Sequence, residues 1–122
     1  MTIAPGLTAR VLLTVGEADL APAHRSGDMC VLATPRLVAL CEEATVAAIA
    51  PHLPAEVTSV GARVELDHLA PSSRGARVEA TASLEEVAGR RLSFRVTVLQ
   101  DGRPVARGRV ERVIVERDRF GR

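Results

Sequence analysis

The stretch LATPRLVALCEEATVAAIAPHL, Leu32 to Leu53, decides how the rest of the chain is read. Pro35 stands just after its start and Pro51 near its end. Proline is welcome in the first turn of a helix and stops one later, so the segment predicts a helix from about 35 to 50 with Thr34 as its N-cap. At about 100° per residue, Leu37, Cys41, Ala44 and Ala48 fall on one side and Val38, Val46 and Ile49 on another. A helix that is apolar almost all round is buried on most faces, which also assigns Cys41 to the core. Two carboxylates interrupt the pattern. Glu43 shares a side with Arg36 and reads as a rim residue paired with it. Glu42 projects among Val38, Val46 and Ile49 with no cation of the helix beside it. A bare carboxylate in that sector is costly, so Glu42 must be held protonated or find a partner in another element.

Downstream, SVGARVELDHLAP alternates, and even positions put Val60, Ala62, Val64, Leu66 and His68 on one face. The imidazole ends that apolar row pointing inward, which makes His68 the expected partner of Glu42. Further strands are predicted near 7–15, 76–87, 90–100 and 103–116, besides this one at 57–69. PSSRG, the AGR around Gly89 and Asp101-Gly102 are the turns between the last four, the final two short enough for hairpins. Residues 16–33 have no period and read as a loop, and His24 and His52 fall in solvent-facing loop contexts. A five-stranded antiparallel sheet wrapped around one long central helix, an α+β fold, accommodates all of this. No repeat or linker divides the chain, so residues 1–122 are expected to be a single domain.

Composition narrows the function classes. A chain of 122 residues has room for one core, and Phe94 and Phe120 are its only aromatics. A thin aliphatic core favours burying more surface by self-association. All 16 basic residues are Arg, but 15 acidic residues balance them to a net charge of +1, which argues against a nucleic-acid surface. No segment approaches the ~20 apolar residues of a membrane span. The N-terminal run alternates like a strand and has no small-residue cleavage site, so no signal peptide is expected. Cys30 and Cys41 form no CxxC and have no histidine at ligand spacing, so neither a metal site nor a disulfide is indicated and a reducing, cytoplasmic compartment fits.

The pattern Thr34-x7-Glu42-x25-His68, with Gly61 seven residues before the histidine, resembles the hot-dog-fold thioesterases of the fluoroacetyl-CoA thioesterase type. The strings EVAGRRLSFRVTVLQDG and GRVERVIV are similar to that family's later strands, so the likeness covers roughly residues 30–116. The resemblance implies a hot-dog fold, hydrolysis of an acyl-CoA or other acyl thioester without a cofactor, and a homodimer with its sites at the subunit interface. It makes Thr34, Glu42 and His68 the catalytic residues, sets the Gly61 backbone beside the thioester, and puts Arg112, in a strand row with Val110 and Ile114, near the acyl or CoA end. Two departures bear on substrate. The fluoroacetyl-CoA enzyme uses phenylalanines before its threonine as a lid over the acyl group, whereas residues 16–33 here hold no aromatic. The family also usually has a polar residue where Val110 stands.

A thioester carbonyl is electrophilic and its thiolate leaves readily, so the protein need supply an activated oxygen nucleophile and donors for the oxyanion. Either Glu42 attacks to form an anhydride, with His68 as acid and base, or the two together activate water. Thr34 would hydrogen-bond the carboxylate or the carbonyl, and the Gly61 N–H would help hold the oxyanion. Two other classes stay open: an acyl-CoA-binding domain without turnover, and a hydratase or dehydratase using a similar acid and base.

Overall fold

Alternating residues form strands and the 32–53 stretch forms the helix in the computed structural model, which describes residues 2–121. In chain order these are β1 (Thr8–Thr14), α1 (Thr34–Ile49), β2 (Val57–His68), β3 (Arg77–Ala88), β4 (Arg91–Gln100) and β5 (Arg103–Glu116). The strands make one five-stranded sheet in the order β1-β3-β4-β5-β2, every neighbour antiparallel. β1 and β2 are therefore its two edges. Asp101 and Gly102 turn β4 into β5 with φ of 50° and 76°, the pair of positive values that a two-residue hairpin of matching twist requires.

The sheet's inner face carries Val78, Ala80, Ala82 and Leu84 of β3, and Leu92, Phe94, Val96 and Val98 of β4, all buried. They meet Leu37, Leu40, Cys41, Ala44, Ala48 and Ile49 of α1. Each larger aliphatic side chain fully withdrawn from water contributes about 1.5–3 kcal/mol, so this seam is what holds helix to sheet. The helix is nevertheless less covered than its composition predicts. Val46 is 41% exposed, Ala39 and Ala47 are also exposed, and Val38 and Glu42 are half-buried. Five strands curl around one side of α1 and leave an apolar strip on the other.

The loop from 16 to 33 has more order than its sequence suggests. It holds two short 3-10 helices, Glu17–Asp19 and Ala21–His24, and is pinned by bridges from Leu20 to Leu32 and from Val31 to Ser73. Asp19 is its anchor. Its Oδ2 accepts the Gly16 N–H at 2.8 Å and its Oδ1 accepts Arg36 Nε at 2.9 Å. Burial pushes the Asp19 carboxyl up, but the Gly16 N–H and the Arg36 guanidinium together hold it below the usual carboxylate value. Arg36 thus pairs with Asp19 rather than with the expected Glu43, which is exposed.

Two corrections bear directly on the site. Thr34 does not cap α1: the N-cap is Ala33, whose carbonyl accepts the Leu37 N–H, and Thr34 is the first helical residue, its hydroxyl free to bond elsewhere. In β2, Gly61 faces Arg112 but Arg63 already faces Glu111, so Ala62 is an extra residue in a β-bulge. One inserted residue turns everything before it to the other face. The inward row is Ser59, Gly61, Val64, Leu66 and His68, opposite the inward-facing Ile114, Arg112, Val110, Gly108 and Ala106. Val60 and Ala62 do not belong to it.

Candidate functional site

The site residues fall into two clusters. At the start of α1 and the end of β2, Thr34 Oγ1 and His68 Nδ1 share a hydrogen bond of 2.8 Å. With Nδ1 so engaged, the ring's other nitrogen, Nε2, is buried and has no partner among the described residues. Both residues line a cavity of about 390 Å³ whose remaining wall comes from Ala21, residues 26–29, 31 and 32, and the Leu69-Ala70-Pro71 segment. The imidazole is thus fixed beside the cavity by a hydroxyl at Nδ1, while Nε2, shielded from solvent within one chain, keeps an unused hydrogen-bonding position.

The second cluster is centred on Glu42, two turns further along α1. Its Oε2 lies 3.8 Å from Nη1 of Arg112, a side chain only 8% exposed. Burial lowers the Arg112 pKa while the Glu42 charge opposes that shift, and the guanidinium stays a cation at neutral pH. Ser59 completes its coordination: Nε donates to Ser59 Oγ at 2.8 Å and Nη2 to the Ser59 carbonyl at 3.2 Å. Arg112 is therefore tied on three nitrogens and presents Nη1 alone to Glu42. Gly61 makes room for this carboxylate, since a Cβ there would stand 2.5 Å from Glu42 Oε2. The bulge at Ala62 is what turns Gly61 towards the helix. Beside Glu42, Cys41 is buried in the core, where desolvation first and the Glu42 charge second push its thiol up to about 12.

The expected pairing of Glu42 with His68 is not formed. Glu42 finds Arg112 on the sheet, and His68 finds Thr34 on the helix. Distance along the elements explains why. Eight residues of α-helix separate Thr34 from Glu42 by about 12 Å, and seven residues of strand separate Gly61 from His68 by about 20 Å. Thr34 with His68, and Glu42 with Gly61 and Arg112, are thus two half-sites well apart on one chain. Sequence reading missed Ser59, because its use depends on a bulge that strict alternation conceals.

Proteins of known structure share this fold. The chain superimposes on a hot-dog-like protein from Thermanaerovibrio acidaminovorans with a TM-score of 0.86 and 29% identity, covering 93% of this chain and 84% of that one. A Thermus thermophilus protein described as a thioesterase superfamily member gives 0.87 and 28%, covering 96% and 87%. The sheet wrapped around α1 is a hot-dog fold. Residues 15–118 match the profile of the fluoroacetyl-CoA-specific thioesterase family. The fluoroacetyl-CoA thioesterase of Streptantibioticus cattleyicolor is 37% identical over 90 residues, 74% of this chain. That match spans 65% of the relative's own length, just under two thirds. A solved structure of the fluoroacetyl-CoA thioesterase FlK superimposes with a TM-score of 0.89 at 28% identity, over 98% of this chain and 93% of that one. The chain belongs to the fluoroacetyl-CoA-specific thioesterase family.

Proposed function

We propose that this chain, acting as one domain, hydrolyses acyl thioesters, with acyl-CoA as substrate, at a site shared between two copies. The observation that carries this reading is the Thr34–His68 hydrogen bond at the cavity wall, which fixes the imidazole through Nδ1 and leaves Nε2 without a partner among the described residues of one chain. With Nδ1–H donating to the Thr34 hydroxyl, Nε2 takes a proton from the attacking water, and the imidazolium so formed returns it to the leaving thiolate. Glu42, placed beside Arg112, supplies the carboxylate, and an N–H released from the ladder by the Gly61–Ala62 bulge faces the developing oxyanion. Two free thiols suit the reducing cytoplasm as the working compartment.

Sharing follows from the separation of the half-sites. β2 is an edge strand, and edge strands recruit a second chain unless guarded. Antiparallel pairing of two β2 edges about a two-fold axis at Glu65 sets Val64 against Leu66 of the second copy, both inward. The Gly61–Ala62 bulge then lies opposite His68 of the second copy, so Glu42 of one chain meets Thr34 and His68 of the other. On the outer face the same register sets Arg63 against Asp67 of the second copy, a charge-complementary pair formed twice.

Free thiol release from acyl-CoA tests the chemistry, and complementation tests the sharing. Glu42→Gln and His68→Ala proteins, each nearly inactive alone, should regain about a quarter of wild-type activity after mixing and refolding, because half the random dimers are mixed and each mixed dimer has one intact site. No recovery on mixing, with mixed dimers verified by native mass spectrometry, would place Glu42 and His68 in the same chain's site. An absence of thiol release, set beside hydration of an enoyl thioester, would favour a hydratase.

A further inference from the structure

Resting on the hydrolase reading above, we infer that the acyl group taken by this chain is an uncharged aliphatic chain longer than acetyl, and that acyl groups ending in a carboxylate are rejected. The cleft beside Thr34 and His68 measures about 390 Å³ and is open to solvent, with room for the acyl end of a small ligand. An acetyl group, on the order of two waters at ~30 Å³ each, leaves most of it unfilled. Its wall is more apolar than polar: Leu32 and Val31 contribute to it, and Met29 and Leu69 stand at 70% and 47% exposure with their apolar stems open to water. Besides the His68 imidazole, the described residues contribute no aromatic ring to it, since Phe94 is locked in the sheet core and Phe120 lies beyond β5. No phenylalanine of this copy therefore reduces the space to the size of a two-carbon group. Extra methylenes would instead cover Met29 and Leu69, and each one buried strengthens binding about fourfold until the cavity is full.

Charge selects in the same place. One carboxylate, Asp28, and no arginine line the cavity. The CoA moiety is common to every substrate, so its repulsion by Asp28 cancels when acyl groups are compared. A terminal carboxylate on the acyl chain does not cancel, and at a few ångströms from Asp28 it is disfavoured by about tenfold even after solvent screening.

The test is kcat/KM from thiol release by the full chain on acetyl-, butanoyl-, hexanoyl-, isopentanoyl- and succinyl-CoA. Butanoyl-CoA should exceed acetyl-CoA by upwards of about tenfold, and succinyl-CoA should fall about tenfold below butanoyl-CoA. Asp28→Asn should narrow the gap between succinyl and butanoyl, and Met29→Phe should shift preference back towards acetyl. A preference for acetyl, a rate flat with chain length, or a succinyl-to-butanoyl ratio unmoved by Asp28→Asn would overturn the inference. If no ester is cleaved, calorimetric binding of S-ethyl- and S-butyl-CoA thioethers decides it separately. Tighter S-butyl binding sustains the pocket assignment while the hydrolase reading falls, and equal binding refutes both.

Discussion

Gly61→Ala should separate activity from stability more cleanly than any change at a charged residue. The added Cβ would stand 2.5 Å from Glu42 Oε2, against an ordinary contact of at least 3.4 Å. The carboxylate must retreat by about 1 Å, and misplacement on that scale costs a reacting group roughly a hundredfold in rate. What moves is the far end of a flexible side chain, and the Gly61 backbone is not in the left-handed region, so the strand accepts alanine without strain. Losing a glycine's unfolded-state freedom even favours the variant, by up to about 1 kcal/mol. The expected result is kcat lower by about two orders of magnitude, KM for the best acyl-CoA nearly unchanged, and a melting temperature equal to or above wild type. Thiol-release kinetics and calorimetry on the same preparation measure both. A kcat within threefold of wild type would mean that the placement of Glu42 against β2 is irrelevant to turnover, and the role given to Gly61 would fall with it.

Four other outcomes are expected. Glu42→Gln should lower turnover by about a hundredfold or more while Glu43→Gln changes it little; equal effects in folded proteins would end the distinction between the half-buried and the rim carboxylate. His68→Asn should keep the fold and acyl-CoA affinity but lose kcat, since an amide carries no proton at neutral pH, and near-full turnover would make the histidine structural. Asp19 has a depressed folded pKa, so its contribution to stability is complete above the unfolded carboxyl value of about 4 and is lost as pH falls through the folded value. The melting-temperature gap between wild type and Asp19→Asn should therefore be steady from about pH 5 to pH 8 and close in acid; a gap that widens in acid contradicts the assignment. Cys30 is exposed, whereas the Cys41 thiol is buried and pushed up to about 12, so one thiol should react with an aromatic disulfide reagent in the native protein and the second only on unfolding.

Much of the fold was legible because its signals are local. Alternation marks the five strands, Asp101-Gly102 marks a hairpin, and the Pro35 and Pro51 bracket marks the helix within a residue. The site was legible in membership and not in wiring. Glu42 stood out as a carboxylate without a local cation, but nothing local distinguishes Arg112 from His68 as its partner, because both arrive from strands distant in sequence. The bulge was hidden for a different reason. Val60, Ala62 and Val64 are all apolar, so the period continues across Ala62 as though no residue had been inserted, and Ser59 and Gly61 were assigned to the wrong face. The covering of α1 was overestimated on similar grounds: a side chain's apolarity says that it can be buried, and how far the sheet curls decides whether it is.

The Ala62 bulge has a consequence for how such a site arises and is lost. Most changes to a binding residue replace one side chain and leave the others in place. Deleting Ala62 would replace none, and it would leave Gly61 opposite Arg112 and Ser59 opposite Ile114 on the inner face, yet it would remove the unpaired stretch of backbone and the local twist that the bulge brings. Replacing Gly61 or Ser59 acts on the side chains around Glu42, whereas losing Ala62 acts on the strand's backbone alone. A chain aligned to this one with a single gap in β2 can therefore keep every named site residue on its face and still differ in the backbone beside the Glu42 carboxylate.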